Sequence, residues 1–275
     1  MKHKIIILFL FVNAVVFGQI KTPSLSPKSV STQSVGLSEI TIEYSRPSKR
    51  GRKIFGELLP FYQVWRTGAN AATKISFSKP VKVNGQLLEK GSYTLLSYPN
   101  KNSWEIKWFN YSSSRWTNYV KEEPLFTIQV PVNKMLSNVE TLDIHLQDIT
   151  LNSAKLFIEW ETTRVVIPLE LDEQKEILKS IDKTLSGPSN NDYFRAAVYL
   201  HDTKTDLNKA LDYVQKVTSS SKALFFQVTR EALILKDLNR KTAALDSAKR
   251  ALALSKKAKN DDFIRINSKL IRELQ

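Results

Sequence analysis

Hydrophobic and polar positions alternate with a period of two from about residue 30 to 170, and with a period near 3.6 after Leu171. In the first stretch Ile40, Ile42 and Tyr44 share one face. The same holds for Tyr93 and Leu95, for Trp104, Ile106 and Trp108, and for Phe126, Ile128 and Val130. Leu142, Ile144 and Leu146, and then Leu156, Ile158 and Trp160, continue the pattern. Strict alternation marks strands with one buried face. About nine short strands with no long helix between them predict an antiparallel β-sandwich or a flattened barrel. Asn84-Gly85, between Val81, Val83 and Leu87, Leu88, signals a hairpin, because these residues tolerate the positive φ of a tight type I′ turn. A second hairpin turn is predicted at residues 161–163.

The change of period places a domain boundary at about 171, separating an all-β domain at 25–170 from a helical region at 172–275. Asp172 is the predicted N-cap of a helix that Gly187 and Pro188 stop. Beyond it Phe194, Val198, Ala210, Val214 and Val217 recur 34 residues later as Val228, Ala232, Ala244, Ala248 and Ala251. That is the tetratricopeptide period, and small residues at helix crossings let two backbones approach. Two such hairpins expose apolar edges, so the first helix and a last one, capped near Asp261 or Asp262, are expected to serve as caps. Helical repeats of this kind offer a surface for a protein or peptide partner.

Residues 1–18 read as a signal peptide. Lys2, His3 and Lys4 precede an apolar run at 5–17, shorter than the ~20 residues that span a bilayer, and Gly18 gives a cleavage site before Gln19. An exported chain, periplasmic or secreted, with no integral membrane segment after maturation is the expectation. With no cysteine and three histidines, the chain lacks thiol chemistry and disulfides, and has almost nothing for a histidine metal site or a serine–histidine triad. No phosphate loop, nucleophile elbow or dinucleotide fingerprint occurs, so neither cofactor nor metal is expected. Of the formal charge of +14, Lys2 and Lys4 carry +2 and the rest is shared evenly between the two regions with no basic tail, which argues against nucleic acid as partner.

Two loops carry candidate chemistry. In residues 44–73 (YSRPSKRGRKIFGELLPFYQVWRTGANAAT), five of the eight residues at 46–53 are basic, while Phe55, Leu58, Leu59, Phe61 and Trp65 can fold the loop onto the core. Arg46 keeps the parity of Ile40, Ile42 and Tyr44, so it points inward and needs a partner. Glu43, Glu57, Glu159 or a ligand anion would fit its planar fork. Arg66 and Asn70 flank Thr67-Gly68-Ala69. Tyr44, Arg46, Arg66 and Asn70 are therefore the candidate site for a small polar or anionic ligand, or else ties that hold the loop. Arg50, Arg52 and Lys53 read as solvated. The second loop follows Phe109, where Tyr111, Arg115 and Trp116 mix aromatic, cationic and polar groups as a saccharide site does, or pin the loop together with Tyr119. Asp143 and His145 read as a solvated strand face, Glu159 and Glu161 as exposed, and His201 as a cation at a helix end.

Taken together, residues 36–44 (GLSEITIEY), Ser45-Arg46-Pro47, 51–56 (GRKIFG), 64–73 (VWRTGANAAT), Asn84-Gly85, Gly91-Ser92-Tyr93 and 160–168 (WETTRVVIP) resemble the bacterial family called domain of unknown function 2911. The resemblance covers about 25–170. It implies an exported β domain, often with a helical tail, and no established activity. Tyr98-Pro99-Asn100 departs from the family's Ile-Pro-Gly at that turn. Three functional classes follow: a binding protein, an envelope-glycan enzyme using Tyr44, Glu43 or Glu57 as acid or base, and a structural protein.

Overall fold

The computed structural model describes residues 22–184 and 189–275, so the signal segment and the helix stop at Gly187-Pro188 lie outside the described residues. Nine strands are described: β1 (Lys28–Val35), β2 (Ser38–Ser45), β3 (Lys74–Phe77), β4 (Val81–Val83), β5 (Gln86–Leu88), β6 (Gly91–Tyr98), β7 (Ser103–Asn110), β8 (Phe126–Gln147) and β9 (Ser153–Glu170). They form one antiparallel sheet in the order β1-β2-β3-β6-β7-β8-β9-β4-β5. The sheet is open, with β1 and β5 at its edges, so the flattened-barrel alternative does not apply.

One sheet makes two layers because β8 is long enough to serve both. Phe126 to Pro131 pair with β7, and Val132 to Gln147 pair with β9. The alternating faces read from the sequence all meet in a single core that runs from Ile40, Ile42 and Tyr44 through Trp104, Ile106 and Trp108 to Leu142, Ile144, Ile158 and Trp160. Asn84 (φ 48°) and Gly85 (φ 83°) make the predicted hairpin.

The turn expected at 161–163 is absent. There β9 runs on, as the β-branched Thr162 and Thr163 favour, and Glu161 at φ 58° marks an irregularity where pairing jumps from Lys134↔Thr163 to Val139↔Glu161. The chain reverses at 148–152 instead, where Asp148 takes φ 51° and the Thr150 hydroxyl lies 2.7 Å from Ser153 Oγ.

Residues 46–73 fold back along the sheet as their apolar content requires. Leu142 N–H donates to Pro47 O at 2.9 Å and Lys49 N–H to Glu140 O at 2.8 Å, so the start of the loop pairs with the free edge of β8. Ile54, Phe55 and Trp65 enter the core. Trp65 then exchanges backbone hydrogen bonds with Ser97 at 2.7 and 2.8 Å, which lays 64–66 beside β6. A second, smaller apolar cluster lies on the opposite face of β6 and β7. Leu96, Phe109 and Tyr119 are its centre, with Val64, Tyr98, Tyr111 and Trp116 packed against it.

The helical region comprises α1 (Gln174–Thr184), α2 (Asn190–Asp202), α3 (Leu207–Thr218), α4 (Phe225–Asp237), α5 (Lys241–Lys257) and α6 (Asp261–Leu274). The register of the first repeat helix differs from expectation by one. Asn190 to Phe225 is a step of 35 while Leu207 to Lys241 is 34, because the α2–α3 connection holds one residue more than the α4–α5 connection. Ala197 and Ala232 are therefore the equivalent buried pair, and Phe194 and Val198 are only half-buried; Ala210/Ala244, Val214/Ala248 and Val217/Ala251 stand as read. Asn260, one residue before the expected pair of aspartates, caps α6 through its side chain on Phe263 N–H. Asp172 is likewise not the residue before α1. Glu173 is, and its side chain turns away to the β domain, accepting from Leu37 N–H at 2.7 Å and Ser38 Oγ at 2.6 Å.

Candidate functional site

The structure divides the four residues proposed for the first loop between the two faces of the sheet. Tyr44 and Arg46 lie on the core side, at the corner where β2 crosses β8. The Tyr44 hydroxyl accepts from Ile144 N–H at 2.8 Å and donates to Asp143 Oδ1 at 3.1 Å. In effect it continues the edge pairing that Pro47 and Lys49 begin, satisfying the next free N–H of β8. Arg46 donates from Nε to Leu142 O at 3.0 Å and from Nη2 to Asp143 Oδ1 at 2.8 Å. Its carboxylate is thus Asp143 and none of Glu43, Glu57 or Glu159. Glu43 pairs with Lys28, Glu57 with Lys53, and Glu159 is buried against Arg164.

Asp143 and His145 are consequently more than a solvated face. His145 Nδ1 lies 3.1 Å from Asp143 Oδ2, and the ring stacks on Phe157 with centroids 5.5 Å apart. Hydrogen bonding to His145 holds the Asp143 carboxyl below its ordinary value, with Arg46 and Tyr44 acting in the same direction. Burial, aided by the Asp143 charge, pushes the Tyr44 phenol up to about 12. The fold therefore favours the neutral phenol. Its stabilising contribution is complete below the unfolded value near 10 and is lost as pH rises from there through 12. Tyr44→Phe is expected to cost about 1–3 kcal/mol at neutral pH, because it leaves Ile144 N–H unsatisfied. It should also flatten the fall in stability between pH 10 and 12; urea unfolding of both proteins across that range is the check, and parallel curves would contradict the assignment.

Arg66 and Asn70 belong to the other face. Arg66 follows the inward Trp65, so its side chain emerges on the side of Leu96, where the guanidinium lies over the Trp116 ring, 4.8 Å from the centroid. It makes one hydrogen bond, from Nη1 to Asn70 O at 3.0 Å. Burial lowers its pKa from the usual arginine value. Asn70 (φ 58°) supplies the turn that brings its carbonyl to Arg66, and its side chain donates to Ser26 O at 3.2 Å.

The second loop meets the first at this place, since Ala72 N–H donates to Ser114 O at 2.8 Å. Tyr119 is the pin that orders it. Fully buried, its hydroxyl accepts from Ser112 and Ser113 N–H and donates to Ser113 O, all within 2.9 Å. Trp116 opens a 3-10 helix (Trp116–Lys121) that Tyr119 anchors, and Arg115 is exposed just before it. Lys74 lies over Tyr111, 5.3 Å from the centroid. Burial pushes the Tyr111 phenol up, with Tyr119 and Glu43 adding to the effect. Two half-buried cations on two half-buried rings thus line one patch, assembled from both loops and β3.

Among the described residues, no group of three histidine, cysteine, aspartate or glutamate side chains is placed to hold a metal ion, and no helix is long and apolar enough to cross a membrane. A family model described as a protein of unknown function, DUF2911, matches residues 26–169. The chain belongs to that family. The match ends where β9 ends, so the DUF2911 domain is the β domain, including both loops and both faces just described. No curated protein and no solved structure matches the chain.

The remaining basic residues of the loop are less free than their exposure suggests. Arg52 donates to Lys49 O and Ser48 O, and Arg50 to Leu25 O, so they brace the DUF2911 loop from outside. His201 is buried. Its Nε2 lies 2.9 Å from Asp237 Oδ2 and its Nδ1 2.8 Å from Arg230 Nη1, and burial lowers its pKa. It joins α2 to α4 as a neutral ring, where the sequence suggested a cation at an open helix end. Tyr119, read in the sequence as a residue that pins the second loop, does so. Lys74 was missed because it is a single lysine on a short strand, and its placement over Tyr111 depends on the β3–β6–β7 register.

Proposed function

We propose that this is an exported binding protein whose DUF2911 domain holds an anionic, ring-shaped ligand, of the uronic acid type, on the patch formed by Arg66, Trp116, Lys74 and Tyr111. One observation carries the reading. The Arg66 guanidinium lies over the Trp116 ring while spending a single donor on the protein, which leaves its other donors beside an aromatic ring. Those donors suit a carboxylate, the rings suit the apolar face of a sugar, and Lys74 adds a second positive charge. Tyr44 and Arg46, in contrast, are spent on β8 and Asp143. Tyr44, Glu43 and Glu57, the groups an enzyme would use here, are each engaged with a neighbour, which favours binding over catalysis. The export half of the proposal rests on the pattern of residues 1–18.

Titrating the mature chain with glucuronate, followed by tryptophan fluorescence and by NMR, tests the site. Arg66→Ala is expected to weaken binding at least tenfold, as loss of a charge-assisted hydrogen bond does, with little change in melting temperature. Arg66→Lys should recover only part of it. Equal affinity in the wild type and Arg66→Ala would refute the assignment.

A further inference from the structure

The sheet face that carries Arg66 and Trp116 continues toward the end of β6, and there a second group of aromatic and polar side chains surrounds a cleft of about 280 Å³. Tyr62, Tyr98, Asn100, Ser103, Glu105 and Gln129 line it. The row is set by strand register. Tyr98 pairs with Glu105 and Glu105 with Gln129, so the three side chains stand abreast on adjacent strands, about 5 Å apart. Gln129 Nε2 donates to Glu105 Oε2 at 3.3 Å, and Lys107, 3.4 Å from Glu105 Oε1, lies over the Tyr98 ring at 4.8 Å. The carboxylate is thereby paired with a cation, and the cleft as a whole offers amide, hydroxyl and carboxylate acceptors together with two tyrosine rings.

Tyr62 is the unusual member. It is 71% exposed and sits at φ 65°, a region that bulky residues avoid, held there by its N–H donating to Pro99 O at 2.9 Å. A ring kept in the open on a strained backbone contributes little to packing. Glycine or asparagine would suit that backbone better.

The two places share one face of the sheet. Because Trp65 pairs with Ser97, the backbone of Arg66 stands beside Leu96, one side-chain repeat (about 7 Å) from Tyr98 along β6. We infer that Tyr62 and Tyr98 form a neutral saccharide subsite next to the Arg66 anion site, so that the ligand is a linear glycan in which an acidic ring is followed by a neutral one. The inference rests on the reading of Arg66 given above. The exposed Tyr62 face stacks the neutral ring beside Tyr98, and Asn100, Ser103, Glu105 and Gln129 bond its hydroxyls.

Hyaluronan oligosaccharides, which alternate glucuronate with a neutral amino sugar, probe both subsites at once. The tetrasaccharide is expected to bind the mature chain about tenfold more tightly than glucuronate alone. Tyr62→Gly should remove that gain while leaving glucuronate affinity unchanged and the melting temperature equal or higher, since glycine adopts the same φ freely. Tyr62→Phe, which keeps the ring, should stay within about twofold of the wild type. The subsite is overturned if the tetrasaccharide binds no better than glucuronate, if Tyr62→Gly retains the gain, or if that variant melts several degrees lower, which would make the ring a packing residue. In each of these outcomes an Arg66-dependent glucuronate affinity would leave the first site standing. Absence of binding by both probes would refute both.

Discussion

Trp65→Ala is expected to lower the unfolding free energy by about 3–5 kcal/mol, the range for truncating a large buried aromatic. Trp65 is the meeting point of four rings. Its centroid lies 6.2 Å from Phe55, 5.7 Å from Trp104 and 6.0 Å from Trp160, with edge-on and stacked geometries. Its indole N–H donates to Gly68 O at 3.1 Å, and its backbone carries both hydrogen bonds to Ser97. The long loop thus has its own ring, Phe55, against a ring from β7 and one from β9, and Trp65 closes the set. Removing it opens a cavity between the two layers of the sheet and releases the residue that aims Arg66 outward. Urea unfolding followed by far-ultraviolet circular dichroism is the suitable measurement, because fluorescence would lose one of its reporters. Trp116→Ala, by comparison, removes a half-buried ring and should cost about 1 kcal/mol or less. If the two substitutions cost the same, the loop is not anchored through Trp65.

The burial of the strand tryptophans was legible in the sequence, and the reason is periodicity. Trp104, Trp108 and Trp160 sit at alternating positions among apolar residues, and all three are in the core. Alternation also foretold that Arg46 would follow Tyr44 inward. The identity of its partner was not legible, because Asp143 alternates with Leu142 and Ile144 and so reads as outward. The contact exists because β2 crosses β8 at a corner, and a crossing between strands a hundred residues apart leaves no local pattern. The same limit explains the candidate site. Each loop, read alone, shows aromatic and cationic residues. Their union depends on Trp65 pairing with Ser97 and on Ala72 bonding Ser114, two long-range pairings that turn sequence neighbours such as Arg46 and Arg66 to opposite faces and bring Arg66 to Trp116.

Strand lengths were the other hidden quantity. Several short strands and a turn at 161–163 were a fair reading of polar residues interrupting the apolar alternation in 133–141 and 159–164. In the structure both interruptions fall opposite each other, within one long pair of strands, as the irregularity between Lys134↔Thr163 and Val139↔Glu161. An irregularity and a turn use similar residues, since both need a positive φ or an unpaired position. What separates them is whether the partner strand is irregular at the same place, and that is a property of the pair.

The join between the β domain and the helices yields the second large expected effect. Glu173 is 3% exposed, and its two carboxyl oxygens take Leu37 N–H and Ser38 Oγ, across the boundary. Gly36 stands against it: a Cβ there would clash with Glu173 Oε2 and lie 2.8 Å from Leu151 O, and its φ is +58°. The β1–β2 turn is therefore shaped around this side chain. Glu173→Ala strands one buried and one half-buried donor and is expected to cost about 3 kcal/mol, whereas Lys79→Ala, which removes the half-exposed pair with Glu176, should cost about 0.5 kcal/mol or less. Because the first loss falls on the joint, its signature is a change of cooperativity. Scanning calorimetry of Glu173→Ala should resolve separate helical and β transitions where the wild type shows one, and limited proteolysis should cut near α1 first. Glu173→Gln should fall between the two, since an amide keeps one acceptor but turns a donor toward the second partner. A single transition in Glu173→Ala, unshifted from the wild type, would mean that the two regions are held together by something other than this carboxyl group.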